Sequence, residues 1–143
     1  MNNYEEITYD NTLMAIIIRD NFTCTQTKFF SVPEFSQQVG YIVYNRGGVI
    51  KAHFHKEVKR SIVFTQEVLF IRKGKLIINF YTADKKVITS RELLKGDVVF
   101  LCRGGHGFEM IEDTEILEVK QGPYSGVDDD KEKFEGVEND TGK

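Results

Sequence analysis

The sequence predicts an all-β protein built as a single domain. Three observations carry that expectation: short strand-like segments recur along the chain, glycine-bearing turns separate them, and no stretch keeps a helical period. The segments are Met14 to Arg19, Gln38 to Tyr44, Val49 to His55, Ser61 to Arg72, Lys75 to Tyr81, Lys86 to Leu93, Asp97 to Cys102, Phe108 to Ile111 and Glu115 to Gln121. Between them stand Arg46-Gly47-Gly48, Lys73-Gly74-Lys75, Ala83-Asp84, Lys95-Gly96-Asp97, Arg103-Gly104-Gly105 and Glu112-Asp113, residues that supply turn conformations. Composition agrees, with 12 glycines, 2 prolines, 11 phenylalanines, 6 tyrosines and no tryptophan, since aromatic side chains favour pleated, half-buried surfaces.

A chain of 143 residues, 41% hydrophobic and 29% charged, has room for one hydrophobic core and enough apolar surface to fill it. We expect that core in residues 1–125, which include an N-terminal strand segment. Residues 126–143 are polar and acidic and read as a loosely held tail pinned at Phe134. Segments such as Leu69 to Arg72 and Lys75 to Tyr81 are apolar on both faces. Such strands need a cover on each side, from a second sheet, a terminal segment or a partner subunit. A homodimer is the expectation drawn from them.

The net charge of -3 leaves no surplus of cations to neutralise phosphates, so nucleic acid is excluded as an expected partner. The first ten residues lack the basic and apolar regions of a signal sequence, and the longest apolar run, Leu13 to Ile18, is too short to cross a bilayer. A cytoplasmic protein without membrane contact is therefore expected. Cys24 and Cys102 form no CxxC pair and are read as reduced, Cys102 as a small buried hydrophobe.

The chemistry concentrates in Gly47-x5-His53-Phe54-His55, then Glu67-x6-Gly74, then Gly96-x5-Cys102-Arg103-Gly104-Gly105-His106. Alternate residues of a strand share a face, so His53 and His55 project together while Phe54 points away. Glu67 opens the next apolar strand, and His106 comes from a distant segment. A single histidine is usually an ordinary hydrogen-bonded residue. Here all 3 histidines fall at these spacings, and three imidazoles with one carboxylate suit one divalent transition metal: Mn, Fe, Co, Ni or Zn. Phe108 and Met110 share the parity of His106 and are expected to wall the pocket. Lys59 and Arg60, with Lys56, form a loop that is either solvated or set to attract an anionic substrate group. In the late strand, Leu117, Val119 and Gln121 alternate with Ile116, Glu118 and Lys120. Parity alone leaves open which set looks inward.

This spacing resembles the two short motifs of the cupin superfamily, G-x5-H-x-H-x3,4-E-x6-G and G-x5-P-x-G-x2-H-x3-N, over about Gln38 to Gln121. The resemblance implies a double-stranded β-helix, or jelly-roll barrel, with His53, His55, Glu67 and His106 as metal ligands. Eleven residues separate His55 from Glu67 where the family has three or four, so Glu57 competes for the carboxylate role; Glu67 alone keeps the x6-Gly spacing. Cys102 stands in place of proline, the gap between glycine and histidine is one shorter, and Met110 occupies the asparagine position. The blocks Thr65 to Gly74, Gly104 to Glu109 and Glu118 to Tyr124 are similar to those of a narrower group of small bacterial cupins.

The resemblance implies a metal-dependent enzyme, of isomerase, lyase or dioxygenase type, acting on a small anionic carbohydrate-like or organic-acid molecule, with the metal as Lewis acid. Two alternatives stand beside it. His53-Phe54-His55-Lys56 and Lys120 to Tyr124 are similar to stretches of metal-independent sugar-nucleotide ketoisomerases, which implies His53 or His55 as catalytic base and Tyr124 as acid. A non-catalytic small-molecule sensor would use the same pocket.

Overall fold

The computed structural model describes residues 3–138. Its elements are β1 (Tyr4–Tyr9), β2 (Thr12–Ile18), β3 (Lys28–Phe29), β4 (Gly40–Tyr41), β5 (Glu67–Lys73), β6 (Lys75–Tyr81), β7 (Val87–Leu94), β8 (Val98–Leu101), β9 (Gly105–Met110), β10 (Glu115–Lys120) and the single-turn helix α1 (Val127–Asp130). The strands form a five-stranded sheet, β1-β2-β8-β5-β10, a three-stranded sheet, β7-β6-β9, and the small pair β3-β4. Every pairing is antiparallel. The all-β class is as expected from the sequence.

Two apolar clusters hold the sheets. Ala15, Ile17, Leu69, Ile71, Val99 and Leu101 of the larger sheet meet Leu76, Ile78, Phe80 and Leu93 of the smaller one, alternate residues of each strand sharing the inner face. On the outer face of the larger sheet, Ile16, Val68, Phe100 and Cys102 lie under Phe22, Phe30, Phe35 and Val39. The chain's own segment between β2 and β5 thus covers the second apolar face, which the sequence had assigned in part to a partner subunit. Gly74, at φ 82°, turns β5 into β6, a backbone conformation only glycine reaches without cost. A Cβ there would collide with the carbonyl of Asp113.

The largest departures from expectation fall between β4 and β5. The expected strand from Val49 to His55 is not formed, that from Gln38 to Tyr44 shortens to Gly40–Tyr41, and that from Ser61 to Arg72 begins only at Glu67. A strand needs a neighbour to satisfy its backbone, and β9 and β10, each the last strand of its sheet, are left open. β1 is the converse case. Its only inward apolar residue is Ile7, so it lacks an apolar run, yet it pairs along β2 and is tied to β7 by Arg91 Nε, 2.9 Å from Glu5 Oε1.

In the segment after β10 the Phe134 ring meets the Tyr81 ring edge-on at 5.1 Å. Tyr81 donates to Glu138 Oε1 at 2.6 Å and accepts from the Val137 amide at 2.9 Å. The remainder of the tail, 139–143, lies outside the described residues. Among the described residues, no helix is long and apolar enough to cross a membrane.

Candidate functional site

Glu67 is the first residue of β5, paired with Leu101 on one side and Lys120 on the other. It shares the inner face with Leu69 and Ile71, which places a carboxylate at the end of an otherwise apolar floor, where it is only 6% exposed. His106 stands on β9 opposite Phe80 of β6, also facing inward. The two meet across the sheets, His106 Nε2 lying 3.3 Å from Glu67 Oε2. The imidazole N–H bonded to Glu67 holds its carboxyl below the usual carboxylate range; burial opposes this, and Lys131 and Lys120 assist from further away. A buried charge is tolerated because it is paired.

Phe108 follows on the same face, its ring 5.5 Å from that of His106. Together these residues line a pocket of about 510 Å³ that is closed on its far side by Asp130 to Phe134 and Glu138. Phe108 therefore forms part of the pocket wall. Met110 does not: it is 52% exposed near the end of β9. On β10, Ile116 packs against the core, so Glu118 and Lys120 share the inward set. Lys120 Nζ lies 3.4 Å from Asp130 Oδ2 and 4.0 Å from Glu118 Oε1, and Thr65 donates to Asp130 Oδ1 at 3.0 Å. That hydroxyl is the main reason the Asp130 carboxyl is held low, with Lys120 adding to it.

The other two expected ligands lie elsewhere. His53 and His55 are exposed in the segment between β4 and β5, which forms no strand. Their rings stand 5.2 Å apart, and His53 Nδ1 is bonded only locally, 2.8 Å from the Lys51 carbonyl. Among the described residues, no group of three or more His, Cys, Asp or Glu side chains is gathered to hold a metal. One chain thus brings Glu67 and His106 together and leaves His53 and His55 outside. The pocket's own donors, a carboxylate and an imidazole, do not by themselves fit the four-donor set a divalent metal was expected to find. Glu57, the competing carboxylate, is exposed in the same outlying segment.

Lys59 and Arg60 also lie there; Arg60 borders a separate small pocket with Gln121 and Asp130. Tyr124 is 69% exposed after β10, its ring 5.6 Å from Lys120 Nζ. The cations that line the Glu67–His106 pocket are Lys131 and Lys133. Nothing in the residue pattern marks them, since they belong to the acidic tail and reach the pocket through the docking of Phe134 on Tyr81. Cys102 is buried on the opposite face of its strand, and burial pushes its thiol up to about 12, which suits a packing residue rather than a ligand or nucleophile.

In comparisons with known proteins the chain matches no family model, no curated protein and no solved structure.

Proposed function

We propose that this chain is a cupin-type jelly-roll protein whose pocket, centred on Glu67 and His106, binds a small anionic molecule. The observation that carries the proposal is the carboxylate–imidazole pair at the floor of a walled pocket, Glu67 standing at the glutamate position of the first cupin motif and His106 at the histidine position of the second. Lys131 and Lys133 at the pocket's far wall favour a carboxylate or phosphate group on the occupant. Were His53 and His55 to join Glu67 and His106, the four side chains would hold one divalent transition metal, which would supply Lewis-acid chemistry to an enzyme of isomerase, lyase or dioxygenase type.

A second reading is favoured by the same contact. An imidazole whose Nε2–H is bonded to a carboxylate keeps its lone pair on Nδ1, free to act as a base. Glu67 would orient His106 and stabilise the imidazolium formed, with no metal required. In that reading the base is His106, not His53 or His55, and Tyr124 has no part in it.

Elemental analysis of the purified chain separates the two. The metal reading expects stoichiometric metal in the wild type and its loss from folded His53→Ala and His106→Ala variants. The metal-free reading expects none in any of them. Both expect sugar phosphates, keto acids or nucleotide sugars to raise Tm, because a ligand that binds only the native state stabilises it, and both expect a smaller rise in Lys131→Ala/Lys133→Ala. A chain that takes up no metal on reconstitution and whose Tm moves with none of these ligands would overturn both.

A further inference from the structure

The segment between β4 and β5 is the least satisfied part of the molecule. Nine of the large exposed hydrophobic residues fall within 42–64, among them Val49 at 77%, Phe54 at 98% and Val63 at 83%. So dense a run of bare apolar side chains marks an interaction surface in a soluble chain. Its side-chain hydrogen bonds are local, His53 to the Lys51 carbonyl and Arg60 to the Val58 carbonyl. Gly47, at φ 87°, and the bond from the Gly48 amide to the Asn45 carbonyl at 2.9 Å close a turn. On either side of that turn the segment forms no strand.

The body has the matching deficit. β9 and β10 each end a sheet, and residues 111–114 alone separate them, so the two open edges lie on one side of the sandwich. Unpaired edges with apolar neighbours invite a further strand. Leu117 and Val119 of β10, with Met110 and Ile111 at the end of β9, are 46–55% exposed there. The pocket is lined by Gly105 to Phe108 of β9. It holds two of the four donors, Glu67 and His106, and the unpaired segment holds the others, His53 and His55.

We propose that an arm of this segment, residues 45–63, is exchanged between two copies of this chain, each laying its arm along the open β9 and β10 edges of the other. The site is then composite: the partner subunit's His53 and His55 meet Glu67 and His106, and neither chain completes it alone. Both ends of the arm are fastened to the body. At one end β4 pairs with β3; at the other, Gln66 Oε1 accepts from Ser36 Oγ at 3.0 Å and the Gln37 amide at 3.2 Å. These fastenings stay in place while the arm between them reaches outward. Two-fold symmetry makes the exchange reciprocal, so one contact covers both arms, both pairs of edges and both half-sites.

The composite site rests on the metal reading of the pocket, whereas the exchange is read by measurements that need no metal. In solution the wild type should have twice the 16.5 kDa mass of one chain. A Cys24→Ser/His55→Cys/His106→Cys chain, treated with a short bis-maleimide and run on a denaturing gel, should migrate as a covalent dimer, with His55→Cys or His106→Cys alone giving none. Cys102 is buried and stays out of the reaction. Val49→Cys with Met110→Cys, both exposed positions, gives a second pair that leaves the pocket intact. A monomeric wild type, a cross-link that leaves a single chain, or no cross-link from either pair would overturn the exchange. A cross-linked dimer that never takes up metal would leave the exchange standing and remove the metal reading alone.

Discussion

Replacing His106 by alanine tests the contact on which the pocket depends. The Glu67 carboxylate is buried on the inner face of β5 and held ionised first by the His106 N–H, against the opposing effect of burial. Without the imidazole that burial is unopposed, except by Lys131 and Lys120 at longer range. A hydrogen bond to a charged group contributes roughly 1.5–3 kcal/mol. The His106 side chain is 30% exposed, so water replaces part of the loss, and we expect His106→Ala to cost about 1–2 kcal/mol. Glu67→Gln keeps the volume and an acceptor but removes the charge. Combined with His106→Ala it should recover about 1 kcal/mol of the loss, because the stranded charge is gone. Urea denaturation of the four proteins at pH 6.5 with a chelator present measures that coupling. The sign with pH follows from the lowered carboxyl. The unfolded chain takes up the proton first, so the contribution of Glu67 is whole above its ordinary value of 4.5 and is lost as pH falls through the folded value. The gap between wild type and Glu67→Gln should therefore close in acid. Additive single variants, or a gap that widens below pH 4.5, would refute the reasoning.

Ile78→Ala, at a position of 0% exposure between the sheets, should cost about 2–5 kcal/mol by transfer and cavity terms together, read by denaturant unfolding. Tyr81→Phe removes the hydroxyl that binds Glu138 and the Val137 amide; it should lower stability by about 0.5–1.5 kcal/mol and expose the chain between Lys131 and Val137 to faster limited proteolysis. Of the two cysteines, the buried Cys102, with its thiol pushed up to about 12, should resist a thiol reagent at pH 8 in the native protein, while the partly exposed Cys24 reacts. Both should react in denaturant.

Much of the fold was legible in residue pattern. β2, β6, β7, β8 and β10 lie close to where alternation and turn residues put them, because each buries an apolar face against a neighbour within the chain. The inward parity of Glu67, His106 and Phe108 was equally legible, since strand period fixes side-chain direction. β1 was not legible in the same way, because a strand that buries only Ile7 shows no apolar run and its place is set by pairing along β2.

Sequence alone determined the all-β class, the turns at Gly47, Gly74 and Gly96, and which side chains can share a face, all of which follow from local geometry. Tertiary structure decided the rest. It brought Glu67 to His106 from strands of different sheets, laid Lys131 and Lys133 along the pocket through the docking of Phe134, set Ile116, Glu118 and Lys120 inward, and left His53 and His55 on an arm with no strand beside it. A strand can be recognised from its own residues, but whether it is paired depends on a neighbour that those residues do not specify.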